Sequence, residues 1–295
     1  VLAAVGAYTL WGLVPLYWPL LEPASPLEIL AHRVVWTLVF VVGLLFATRG
    51  WGQVGAALAQ PRTRGLLALA AVLVTTNWGV FIWAVTNGQV LQSSLGYFIN
   101  PLVSVLLGVL VLGERLRPPQ WAAVALGAAG VVVVTIGYGG LPWVSLALAL
   151  SFGLYGLVKK RADVEAVPSL AIETGFAAPV AAGYLVVLAA TGTGTSGSQG
   201  LGHALLLVGA GVVTAVPLLL FGAAAIRIPL STLGILQYIG PILQFVLALT
   251  VFDDPMDATR WAGFLLVWVA LAVFTADALR QAAKVRAELA EPPLL

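Results

Sequence analysis

Twelve of the fourteen Lys and Arg residues fall in five short clusters, and long apolar segments separate each cluster from the next. The clusters are Arg49, Arg62 and Arg64; Arg115 and Arg117; Lys159, Lys160 and Arg161; Arg227; and Arg280, Lys284 and Arg286. Each lies two apolar segments beyond the last. Lys and Arg accumulate on the cytoplasmic side of a bilayer, so the loops between clusters, nearly free of them, are expected outside. Charged residues make up 9% of the chain, against roughly 25% in a soluble domain, too few to clothe a soluble surface. A chain this apolar is long enough for about ten spans of about 20 residues, with nothing over for a separate soluble domain.

Apolar runs bounded by charges and by Gly/Pro clusters predict helices near 1–21, 27–47, 65–86, 90–112, 119–138, 142–158, 167–190, 203–226, 230–252 and 258–279. The expected fold is an all-α polytopic membrane protein with ten transmembrane helices. An even number of spans puts both termini on one side, and the basic tail at 280–295 makes that side the cytoplasm of an inner-membrane protein. The opening residues read as a first span rather than a signal peptide, because no basic stretch precedes them and no small-residue cleavage site follows. Cysteine is absent, which excludes disulfides, thiolate metal sites and a cysteine nucleophile. The net charge of +2 sits beside span ends, so it reads as topology and not as nucleic-acid binding.

The two halves resemble each other. At a shift of 140 residues Pro101 falls on Pro241, Trp121 on Trp261, Ala122 on Ala262, Thr135 on Thr275 and Glu114 on Asp254. At a shift of 144, Leu10, Gly12, Leu13 and Val14 match Leu154, Gly156, Leu157 and Val158. Repeats over 1–138 and 142–279 would each hold five spans. An odd number makes the second copy enter the membrane in the opposite sense, so the pair is an inverted repeat, a common frame for alternating-access carriers.

Several runs are similar to those of one family: Leu10 to Leu16 (LWGLVPL), Pro26 to Arg33 (PLEILAHR), Asn77-Trp78, Tyr97 to Pro101 (YFINP) followed by Gly113-Glu114-Arg115, Gly211 to Phe221 (GVVTAVPLLLF) and Leu230 to Phe245 (LSTLGILQYIGPILQF). Together they resemble the RarD group of EamA-type transporters. The resemblance implies membership of the drug/metabolite transporter superfamily: ten helices in two inverted five-helix repeats, a central cavity, and export of small metabolites, amino acids or drugs. One departure is Asp253-Asp254-Pro255, where the family tends to carry a glutamate after the ninth span.

Polar groups within spans are costly in hydrocarbon and normally face the bundle or a wet cavity. In the second span Glu28 and His32 share a helical face, with Arg33 about 100° around from it. Arg33 either binds a substrate carboxylate or snorkels outward to pair with Glu28. His32 either relays protons or is a structural hydrogen bonder. Glu173 in the seventh span either balances Arg33 across the repeat axis or binds a coupling proton. Thr75, Thr76, Asn77 and Trp78 sit near the expected midplane with Phe81 one turn on; they line a cavity or tie helices together. The repeat-related fourth and ninth spans carry Tyr97, Asn100 and Pro101 in the one and Gln237, Tyr238 and Pro241 in the other. Pro15, Pro101, Pro217 and Pro241 are candidate hinges or helix breaks, since proline removes a ladder hydrogen bond. Trp11 and Tyr155 occupy matched repeat positions and are expected to form facing aromatic walls.

Gly192 to Gly197 satisfies G-x-G-x-x-G, but no strand precedes it, so it is expected to be a flexible outward linker. No protease, hydrolase or Walker A motif is present, so the expected protein is not an enzyme and needs no metal or cofactor. Its expected partners are a small-molecule substrate and the lipid bilayer, as monomer or homodimer, without nucleic acid. Neutral or aromatic amino acids fit an aromatic cavity holding a few amides. Efflux of aromatic drugs, or metabolite uptake, would use the same walls.

Overall fold

The computed structural model describes residues 1–113, 115–225 and 236–290. Glu114, Arg227 and the start of the expected ninth span at 230–235 lie outside the described residues. Among the described residues every regular element is helical. In chain order these are α1 (Leu2–Leu13), α2 (Pro26–Thr48), α3 (Trp51–Ala59), α4 (Pro61–Thr86), α5 (Val90–Leu112), α6 (Pro118–Tyr138), α7 (Trp143–Ala162), α8 (Ala166–Thr191), α9 (Gly200–Ala225), α10 (Ile239–Thr250) and α11 (Ala258–Ala290). Seven of them, α2, α4, α5, α6, α8, α9 and α11, are long and apolar enough to cross a membrane, and α1 and α10 are shorter apolar helices.

Local chemistry sets the ends. α1 stops where Pro15 and Pro19 remove backbone donors, and the chain continues as two 3-10 turns, Val14–Leu16 and Trp18–Leu21. α2 starts on Ser25, whose Oγ accepts the Glu28 N–H at 3.2 Å, with Pro26 at the first helical position. Two elements differ from expectation. α3 is a short helix inside what reads as a basic loop, and α11 runs on to residue 290, so most of the expected tail continues the last helix.

Burial is inverted relative to a soluble protein. Val180, Leu201, Leu110 and Ile136 are among the most exposed side chains, whereas Glu28, Arg33, Asn77 and Glu173 are buried. An apolar shell over an apolar core that also shelters the few charged groups is what a bilayer selects.

The halves interlock through pairs of contacts. α5 packs on α7 and α10 on α1; α4 packs on α7 and α9 on α1; α4 packs on α8 and α9 on α2; α2 meets α8, and α6 meets α11. At this last crossing the backbones touch: a Cβ on Gly130 would lie 2.9 Å from the Gly263 carbonyl oxygen. Small residues permit this approach, the usual means of helix association where lipid removes the hydrophobic drive.

Candidate functional site

Arg33 lies on the eighth residue of α2, roughly 10 Å down the helix at 1.5 Å per residue. It is 6% exposed. Its guanidinium is held between two indoles, with Trp78 of α4 at 4.2 Å and Trp18 of the second 3-10 turn at 5.1 Å from their ring centroids. Such stacking suits the planar, weakly hydrated guanidinium. Nε and Nη1 are buried without an acceptor. Arg33 therefore neither snorkels outward nor pairs with Glu28.

Beside this clamp lies a polar knot. Asn77 donates through Nδ2 to the Leu148 carbonyl (3.2 Å) and to Ser151 Oγ (3.0 Å) on α7, and its Oδ1 accepts the Tyr97 hydroxyl of α5 at 3.2 Å. The amide thus ties three helices and is itself fully engaged. Phe81 meets the Tyr97 ring edge-on at 5.8 Å, and Phe152 meets it at 6.2 Å. Asn100, one turn along α5, has a buried Oδ1 without a partner. Trp18 and Ser151 complete this neighbourhood. Trp18 resembles an interface aromatic in sequence, while a lone serine in a helix gives no signal.

The other expected residues lie elsewhere. Trp11 packs against Tyr8 and Phe221, and Tyr155 against Phe152, so the two are not facing walls. The cause is the packing order, since α1 lies on α9 and α10 whereas α7 lies on α4 and α5. Glu173 does not balance Arg33: its Oε1 takes Lys159 Nζ at 2.8 Å and Ser169 Oγ at 2.6 Å, and its Oε2 takes the Tyr155 hydroxyl at 2.9 Å. Gln237 and Tyr238 are half-buried in the turn leading into α10. Pro241 sits in the first turn of α10, where its carbonyl accepts Ser94 Oγ at 2.9 Å, while Pro101 and Pro217 lie inside α5 and α9. Pro15 marks the end of α1.

Polar ties close the end of the bundle where α2 begins. Glu28 Oε1 accepts the Thr195 N–H at 2.7 Å and its hydroxyl at 2.9 Å, and Thr195 Oγ1 lies 2.8 Å from His203 Nε2. The glycine-rich segment is anchored here rather than free, because Thr195 supplies buried Glu28 with donors. His32 accepts the Trp36 indole N–H at Nδ1 (3.3 Å) and has no partner at Nε2. At the same end Asp254 Oδ2 accepts the Leu91 N–H at 2.6 Å and caps α5 from the loop after α10. Burial raises the Asp254 carboxyl above its ordinary 3.8, opposed by that hydrogen bond and by Arg260.

A raised carboxyl favours the neutral folded form. The contribution of Asp254 is thus fully present below its unfolded value and declines as pH rises through the folded one. Asp254→Ala is expected to cost about 1 kcal/mol for the lost cap. Wild type is expected to lose stability relative to Asp254→Asn as pH climbs from near 3.8. Chemical unfolding in detergent across that range checks both, and a difference flat with pH would refute the second.

A groove of about 300 Å³ between α1 and α9 is lined by groups such as Leu10, Leu13, Val213 and Pro217. Its walls are nearly all apolar and do not orient a polar solute. The chemistry therefore converges on Arg33, Trp18, Trp78, Tyr97, Asn77 and Asn100. Among the described residues no group of His, Cys, Asp and Glu is placed to hold a metal.

Comparison with known proteins gives concordant matches. The model of the EamA-like transporter family matches residues 1–136. The chain is 55% identical to Protein RarD of Streptomyces exfoliatus over 96% of this chain and 90% of that one. It is 47% identical to Protein RarD of Escherichia coli K12 over 95% and 94%, and 34% identical to the Chloramphenicol-sensitive protein RarD of Pseudomonas aeruginosa over 95% and 94%. One crystal structure superposes with a TM-score of 0.57 at 22% identity, over 92% of this chain and 95% of that one, a likeness of fold.

Proposed function

This chain belongs to the EamA-like transporter family as one of its RarD-type members, and from that premise we propose that it exports small organic molecules by alternating access. It is a multi-pass membrane transporter of the drug/metabolite transporter superfamily, not an enzyme. The observation that carries the site is the polar cluster of buried Arg33 and Asn77 with half-buried Tyr97 and Asn100, about 10 to 15 Å along their helices from the nearer ends. Polar groups are expensive in a membrane span, and carriers built on repeats hold their solute near that depth.

The substrate class that fits is amphipathic: amino acids with large apolar side chains and related metabolites. Trp18, Trp78, Phe81 and Tyr97 supply the apolar surface, and Asn100 the free amide oxygen. The paired packing of α5 on α7 with α10 on α1, and of α4 on α7 with α9 on α1, supports two inverted five-helix repeats over 1–138 and 142–279. Exchanging the conformations of two such repeats opens one end as it closes the other. In this reading both termini are cytoplasmic, and the Glu28–Thr195 and Asp254–Leu91 ties seal the outer end. Efflux of aromatic drugs is the second reading, favoured by the name of the Pseudomonas aeruginosa relative.

Counterflow in proteoliposomes with labelled tryptophan, phenylalanine, methionine and threonine tests the first reading. Exchange that ranks by side-chain size supports it. No exchange by folded protein removes amino acids and leaves drugs. Asn77→Ala is expected to lower exchange at least tenfold, since it releases Tyr97 from α4 and α7, while costing about 1–2 kcal/mol for interhelical bonds worth about 0.6 each. Unchanged exchange would mean that the amide acts in packing alone.

A further inference from the structure

We propose that Arg33 is the anion-docking group of the transport site, and that the site prefers a monocarboxylate with an aromatic or apolar body and no ammonium. The proposal rests on the transporter reading above, and within its amphipathic class it favours the related acids that lack an ammonium over the amino acids themselves.

Charge balance carries the argument. Arg33 is buried with donors on both edges of its fork, Nε and Nη1, lacking an acceptor. Among the described residues no carboxylate lies within ion-pair distance of it. The two nearest candidates by sequence reading are already committed: Glu28 to the Thr195 N–H and hydroxyl, and Glu173 to Lys159, Ser169 and Tyr155. A buried, unneutralised guanidinium is tolerated where an anion completes it, and a carboxylate matches its planar fork. Trp18 and Trp78 occupy its faces and leave the edge donors for that purpose.

The same accounting disfavours an ammonium. A zwitterion needs an acceptor for its amine as well as a donor for its acid. The Asn77 oxygen is engaged by Tyr97, the committed carboxylates are elsewhere, and unpartnered oxygens left on these helices, such as Asn100 Oδ1 and Thr37 Oγ1, are neutral. One fixed positive charge in the site neutralises one negative charge. The rings of Phe81, Tyr97 and Phe152 then offer an aromatic body the edge-to-face contacts they already make with one another.

The test is equilibrium binding to purified full-length protein in lipid nanodiscs, by calorimetry, with three probes of one shape: 3-phenylpropionate, phenylalanine and 3-phenylpropanamide. Wild type is expected to bind 3-phenylpropionate about tenfold more tightly than either of the others, the scale of a charge-assisted pair over a neutral one. Arg33→Gln is expected to erase that preference, and Arg33→Lys to keep part of it, since lysine retains the charge and loses the fork. The ranking in wild type needs no variant to fold. Equal binding of acid and amide to wild type, a tighter zwitterion, or an acid preference surviving in folded Arg33→Gln would each overturn the inference. Failure here with amino-acid exchange intact in proteoliposomes leaves the transporter reading standing; loss of both measurements removes the two together.

Discussion

Lys159→Met is expected to lower stability by about 3–5 kcal/mol, the cost of leaving a buried carboxylate without its cation. Glu173 is fully buried on α8, and the Lys159 side chain, 22% exposed, reaches it from α7 at 2.8 Å. Tyr155 and Ser169 still donate to the carboxylate in the variant, but two neutral hydroxyls do not replace an ammonium. The double variant Lys159→Met/Glu173→Gln is expected to recover most of the loss, because the amide needs no counter-charge. Unfolding by SDS in mixed micelles measures all three proteins. Equal losses in the single and double variants would show that the pair is not the source.

That lysine shows where sequence reading reaches and where it stops. Lys159 belongs to a basic cluster, and the cluster places an end of α7 correctly because positional bias needs no partner. Ser169 and Glu173 are four residues apart on one helix, so their meeting is legible from periodicity. The meeting of Lys159 with Glu173 is not, since it depends on how α7 lies against α8. The same division holds for the helices. Long apolar runs locate most of the bundle, whereas α3 is hidden between Arg49 and Arg62 in a stretch too short for a span.

For the site, the residue types were legible and their partners were not. Arg33, Asn77, Trp78, Phe81, Tyr97 and Asn100 stand out because polar or bulky groups within spans demand a reason. The choice between pairing with Glu28 and facing the bundle turns on Trp18. Trp18 comes under Arg33 because Pro15 and Pro19 turn the chain through two 3-10 turns. Trp11 and Tyr155 failed as a pair for a related reason: equivalence in a repeat fixes which residues correspond and does not bring them into contact. Thr195 was hidden in a glycine-rich segment whose composition reads as mobile, and its place follows from the need of buried Glu28 for donors.

Gly211→Leu is expected to abolish transport and to leave little folded protein in the membrane. Gly211 lies on α9 where it crosses α2, and an ideal Cβ there would stand 2.5 Å from the Trp36 carbonyl carbon and 2.7 Å from its oxygen. These are backbone atoms, which do not rotate aside. Carbon atoms rest about 3.5–4.0 Å apart, so even alanine must part the helices by about 1 Å. Overpacking of this kind costs about 1–3 kcal/mol and more when the obstacle is rigid. Trp36 is one turn beyond Arg33, so parting α2 from α9 also moves the guanidinium relative to Trp18 and Trp78. Gly211→Ala separates the two effects: it is expected to fold with a loss of about 3 kcal/mol or less, yet to weaken 3-phenylpropionate binding more than 3-phenylpropanamide binding. Gly52, whose Cβ would meet nothing within 4 Å, is the control, and Gly52→Ala is expected to match wild type in both assays. A Gly211→Ala variant with wild-type stability and binding would show that the α2–α9 crossing yields to a methyl group, and that the position of Arg33 does not depend on it.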